Sequence, residues 1–154
     1  MKPKTILMTL GVLLAGATMG FAADAHLGTW KLNEAKSNLA AGAVKNHTVV
    51  YAAAGDDVKI TVDGVDNDGK AVHHEWTGKY DSKDYPVTGD PTADVRSYKK
   101  VDDHTLEMTV KKGGKVTVTG RIVVAADGKT RTVATSGTDA KGNKVSSTGV
   151  YDKQ

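Results

Sequence analysis

The densest grouping of residues able to do chemistry is His73-His74-Glu75-Trp76. Imidazoles bind metals and exchange protons near neutral pH. In an extended chain successive side chains point to opposite faces, so His74 and Trp76 share the face of Val72, and His73 and Glu75 take the other. If the Val72 face is inward, His74 stands beside Trp76, where it can meet a ligand group or a haem iron. No second inward histidine falls at a matching register, and a zinc site needs three or four ligands. A histidine satisfied by a neighbouring hydroxyl or carbonyl is the plainer reading, so neither a metal nor a cofactor is expected.

Asp66-Asn67-Asp68-Gly69 resembles part of a calcium loop. With Gly69 aligned on the loop's fixed glycine, the first liganding position falls on Gly64, which has no carboxylate. A polar hairpin turn is expected instead. Catalysis has little to work with. Once residues 1–22 are set aside, the only Glu residues are Glu34, Glu75 and Glu107, and Glu75 and Glu107 alternate away from the apolar face. His104 follows Asp102-Asp103, but no nucleophile or oxyanion hole accompanies it. Gly-x-Ser-x-Gly, Gly-x-Gly-x-x-Gly and the phosphate loop are all missing. The chain is read as a non-enzyme.

With no cysteine among its 154 residues, the chain has no disulfide framework and no thiolate site. Residues 1–22 run from Lys2 and Lys4 through an apolar stretch, Ile6 to Ala17, to the small-residue ending Gly20-Phe21-Ala22. That order is a secretory signal peptide, with cleavage after Ala22 or, in competition, after Ala25. Residues 23–154 are then one domain, periplasmic or secreted. Losing Lys2 and Lys4 lowers the formal charge from +3 to +1. So little net charge gives no long-range attraction for nucleic acid or an anionic membrane. Lys99-Lys100 and Lys111-Lys112 with Lys115 read as a solvated strand face. Asn46-His47-Thr48 matches a glycosylation sequon.

Positioning any site falls to β-strands. Val58, Ile60 and Val62 alternate with Lys59 and Thr61, and Leu106, Met108 and Val110 alternate with Glu107 and Thr109. Turn formers such as Gly55-Asp56-Asp57, Gly113-Gly114 and Asp127-Gly128 punctuate the runs. Strands are expected near 28–33, 46–53, 57–64, 70–80, 94–101, 105–112, 115–124, 129–137 and 144–151, with a helical turn possible only within 33–45. An antiparallel meander of this length removes its edges by closing, so an all-β up-and-down barrel of eight to nine strands is expected, with a two-sheet sandwich as runner-up. Residues 81–92, holding Pro86 and Pro91, read as an irregular lid or connection. The last two strands offer mainly Thr132, Ala134, Ser136, Val145, Ser147 and Gly149 to one face, so either the barrel is flattened into a sandwich or space is left inside it.

Gly28-Thr29-Trp30 opens the first strand. In this the sequence resembles the lipocalin and fatty-acid-binding superfamily, whose first barrel strand begins Gly-x-Trp. More narrowly, Gly28-Thr29-Trp30-Lys31-Leu32-Asn33 and Tyr85-Pro86-Val87-Thr88-Gly89 are similar to stretches of small secreted bacterial lipocalin-like proteins. The resemblance implies that Trp30 lies at the closed end of the barrel and that Arg131 or Arg121 packs across it, both as structural residues.

Together these readings favour a monomeric barrel that holds a small, mostly apolar molecule without transforming it. Its expected lining is Tyr51, Ile60, His74, Trp76, Met108 and Val118, with Tyr85 near the mouth. The competing reading is a structural or interaction protein of the cell envelope with a filled core.

Overall fold

The computed structural model describes residues 24–139 and 141–154. The signal-peptide reading of 1–22 lies outside the described residues. Inside them, the alternating runs become β1 (Gly28–Leu32), β2 (Lys45–Ala54), β3 (Asp57–Val65), β4 (Ala71–Gly78), β5 (Tyr85–Thr88), β6 (Val95–Asp102), β7 (Thr105–Lys112), β8 (Lys115–Val124), β9 (Thr130–Thr138) and β10 (Lys144–Lys153). Each strand pairs antiparallel with its successor, and β1 also pairs with β10, so the sheet closes into a barrel rather than splitting into a sandwich.

The observed 10 strands correct the expected eight to nine. The additional strand is β5, inside the segment read as irregular. Its 4 residues are too few to display an alternation, and Pro86 has no N–H to give to a ladder. It is held by Trp76–Val87 and Glu75–Thr88 pairing toward β4 and by Tyr85–Arg96 and Pro86–Val95 pairing toward β6. The segment is thus part of the wall and not a lid. Helix formation within 33–45 is limited to a 3-10 turn, Glu34–Lys36, whose Lys36 N–H donates to the Asn33 side chain.

Turn chemistry fixes the register. Gly113 and Gly114 both adopt positive φ, +56° and +76°, the requirement of a two-residue hairpin loop between β7 and β8. At Gly64 any Cβ would collide with the Lys45 backbone carbonyl, where the β2–β3 register shifts, so glycine lets the strands approach there.

β10 turns the expected face inward, but β9 turns the opposite one. Ser147 pairs with Thr135, Gly149 with Val133 and Val145 with Gly137. The inward set is therefore Val133, Thr135 and Gly137 with Val145, Ser147 and Gly149, while Thr132, Ala134 and Ser136 face out. Both faces of β9 carry small residues, so composition could not tell them apart, and a shift of one residue exchanges them.

Candidate functional site

The barrel has two unlike ends. At the end where β1 begins and β10 finishes, Trp30 is fully buried, and its indole N–H donates to the His26 carbonyl at 2.8 Å. The Arg131 guanidinium carbon lies 5.1 Å from the Trp30 ring, 4.7 Å from Tyr51 and 4.9 Å from Tyr151. Arg131 thus takes the position across Trp30, whereas Arg121 faces out and pairs with Glu107 at 3.3 Å. His26 is buried beneath this layer, against Tyr51 and Tyr80. Burial holds its pKa down at about 4, aided by the Arg131 charge and opposed by Asp24. Burial likewise raises the Tyr51 and Tyr80 hydroxyls well above the usual tyrosine value.

The waist of the barrel is filled. Ile60 and Trp76 are 1% exposed and Leu106 is wholly buried. Trp76 stacks edge-on against Tyr98 at 4.8 Å and Tyr85 at 5.6 Å, and its indole N–H donates to the Arg96 carbonyl at 2.9 Å. Met108 lies against Gly120, where a Cβ would come within 2.9 Å of the Met108 methyl. Aromatic and aliphatic bulk at these positions leaves close-packed contacts rather than a chamber.

At the opposite end, residues 38–44 form a strap across the opening. Asn38 and Thr148 exchange backbone hydrogen bonds of 2.8 Å, and the Ala40 N–H donates to Ser147 Oγ at 2.9 Å. Beneath the strap lies a cavity of about 120 Å³, bordered by Leu39, Ala43, Val44, Asn46, Val133, Thr135, Ser147, Gly149 and Tyr151. A second, of about 280 Å³, opens beside it between the strap and Val118, Thr135, Gly137, Val145 and Ser147. The two share Ala43, Thr135 and Ser147, so they adjoin. Asn46 contributes a buried side-chain oxygen with no hydrogen-bond partner.

His74 and Arg96 are also buried toward this end, and Arg96 Nη2 lies 3.6 Å from Asp90. Burial is the main cause of the lowered His74 pKa, the Arg96 charge adds to it, and Asp90 opposes it. His74 is therefore a neutral imidazole at neutral pH.

Of the seven residues expected to line a ligand site, Tyr51, Ile60, His74 and Trp76 are buried inward, and Met108, Val118 and Tyr85 pack partly buried against the core. Val118 alone borders the cavities at the strap. Tyr85 corrects its expected place: as the first residue of β5 it stands at the Trp30 end, away from the strap, with its hydroxyl donating to Asp81 at 2.9 Å. The reading from alternation found the inner face but could not separate filled core from free space. Small inward residues were the available signal for Thr135, Gly137, Ser147 and Gly149, and the face error on β9 hid half of them.

The other clusters resolve into ordinary structure. Asp66 Oδ1 accepts the backbone N–H groups of Asp68 and Lys70 at 2.9 Å, as a turn residue does. No group of three or more metal-binding side chains converges among the described residues. His73 pairs with Asp63 on the outer face, and Glu75 with Lys59 at 2.8 Å. The lysine-rich face is laced with acids: Lys100 meets Asp103 at 2.9 Å, Lys111 meets Asp84 at 2.7 Å and Lys112 meets Asp94 at 2.8 Å.

No protein-family model matches the chain, and no curated protein is similar to it. Among solved structures, EF1p2_mFAP2b bound to DFHBI aligns with a TM-score of 0.46 and 14% identity over 86% of this chain and 97% of the other. A redesigned beta barrel, mFAP1, also bound to DFHBI, aligns with a TM-score of 0.44 and 16% identity over 86% of this chain and 98% of the other.

Proposed function

We propose that the protein is a secreted or periplasmic lipocalin-like barrel that holds a small, mostly apolar molecule without transforming it, and that residues 1–22 direct its export. The observation that carries this reading is the paired space beneath and beside the strap. A volume of about 280 Å³ approaches the lower limit of ordinary small-molecule sites, about 300 Å³. Val118, Val133, Leu39 and Ala43 supply apolar walls, and Asn46 supplies an unused hydrogen-bond acceptor. Arg131 laid across Trp30 after a Gly-x-Trp opening supports the lipocalin-like assignment.

The packed waist favours one competing reading, an envelope protein whose interior is only structural. Native mass spectrometry of the protein from its own host, before and after denaturation, separates the two. The carrier reading expects a reproducible extra mass that denaturation releases. A bare polypeptide mass in every preparation supports the structural reading instead.

A further inference from the structure

At the Trp30 end a buried cation keeps N–H donors without an acceptor. Arg131 is 2% exposed, and its Nε and Nη1 have no hydrogen-bond partner. The rings of Trp30, Tyr51 and Tyr151 stabilise its charge. Ring faces attract a guanidinium from above and below, however, whereas its N–H bonds point outward in its own plane and want acceptors there. No carboxylate among the described residues pairs with Arg131, in contrast to Arg96, which has Asp90 at 3.6 Å. Asp24 is the nearest acidic group by its effect on His26 and Tyr80, yet it forms no ion pair with Arg131.

His26 adds to the imbalance. Both of its ring nitrogens are buried without a partner. His26 and Tyr51 lie 6.3 Å apart, His26 and Tyr80 6.4 Å, and the Arg131 guanidinium carbon is 4.7 Å from the Tyr51 ring, so His26 and Arg131 are both neighbours of Tyr51. A buried cation that lacks a counter-charge is among the costliest features a core can carry. The unsatisfied Nε and Nη1 of this cation call for an acceptor that the described residues do not supply.

We propose that this end of the barrel is an anion site, in which Arg131, assisted by the His26 ring N–H, holds one compact monovalent anion, a halide or a small carboxylate. Compactness follows from the packing, since Arg131 is 2% exposed and enclosed by the Trp30, Tyr51 and Tyr151 rings. The site is separate from that space and stands whether or not the carrier reading does.

The test is thermal unfolding of the wild-type protein in a bulky sulfonate buffer, with sulfonate replaced by chloride, formate or octanoate at constant ionic strength. A bound ion raises Tm in proportion to the logarithm of its concentration, by several degrees over about a hundredfold range above Kd. We expect chloride or formate to do so. Arg121→Met, which removes an exposed charge, should keep the dependence, and Arg131→Met should lose it. Should Arg131→Met not fold, Arg131→Lys is expected to fold with a weakened dependence. A wild-type Tm indifferent to the replacing anion overturns the proposal, as does full dependence in an Arg131 variant. Octanoate outperforming formate overturns the compact-ion assignment.

Discussion

The ring of Tyr151 lies over the bare backbone of Gly149, two residues earlier on the same inward face of β10. A Cβ placed at residue 149 would stand 3.0 Å from Cε2 of that ring. Glycine here leaves room for the Tyr151 ring, whose centroid lies 4.9 Å from the Arg131 guanidinium carbon. Gly149→Val should push the ring away and strain both contacts, at a cost of about 1–3 kcal/mol. Urea unfolding should show a lower midpoint with an unchanged slope, and an unaltered midpoint would mean that the ring moves freely.

Filling the space beneath the strap tests binding without touching the core. Thr135 borders both adjoining cavities, and its hydroxyl donates only a long hydrogen bond, 3.5 Å, to the Ser147 carbonyl. Thr135→Leu should leave Tm within a few degrees of wild type and abolish any releasable mass seen by native mass spectrometry. Retention of that mass in the variant would move the ligand elsewhere.

Acid should weaken the fold through its buried histidines. His26 has its pKa held at about 4 against an ordinary 6.5, and His74 is lowered too. The unfolded chain therefore takes up protons before the folded one does. Stability is complete above about pH 6.5 and falls as pH drops toward 4, where the loss levels off. His73 acts in the opposite sense, since its Asp63 hydrogen bond raises its pKa, but it is fully solvated. Between pH 7 and 5, Tm should decline in the wild type and decline less in His26→Gln. Parallel profiles for the two proteins would remove His26 from this account.

Trp76 is the largest single contributor at the waist, 1% exposed and edge-on to two tyrosines. Trp76→Ala should cost about 3–5 kcal/mol. In a Trp30→Phe background, acrylamide should barely quench the remaining fluorescence, which comes from Trp76.

Alternation made the inner face of β3, β4 and β7 legible, because charged and hydroxyl residues mark the outer face of each. Ile60, Trp76 and Met108 could be placed inward from the sequence for that reason, whereas on β2 the outer Val50 and Ala52 are apolar and only the size of Tyr51 sets its face apart. On β9 the rule had nothing to hold, since Thr132, Ala134 and Ser136 on one side differ little from Thr135 and Gly137 on the other, and Arg131 points in against its type. The strand Tyr85–Thr88 escaped notice because it is short and interrupted by Pro86. Free volume is harder still to read, being decided by how neighbouring rings tilt: the core around Trp76 consumes its space, while the small residues under Leu39 do not.

The seam between β1 and β10 bears on how the molecule comes to exist. Trp30 pairs with Lys153, and the Gln154 N–H donates to the Thr29 carbonyl at 2.9 Å, so the ring is completed by segments more than a hundred residues apart. Hairpins between neighbours can form locally and early, but this last join must first overcome the entropy of a very long loop. Until it does, two raw strand edges stay open to pairing with other chains. During synthesis the chain is thus an unclosed ribbon for as long as β10 is missing, and its last residues are the ones that shut both edges away.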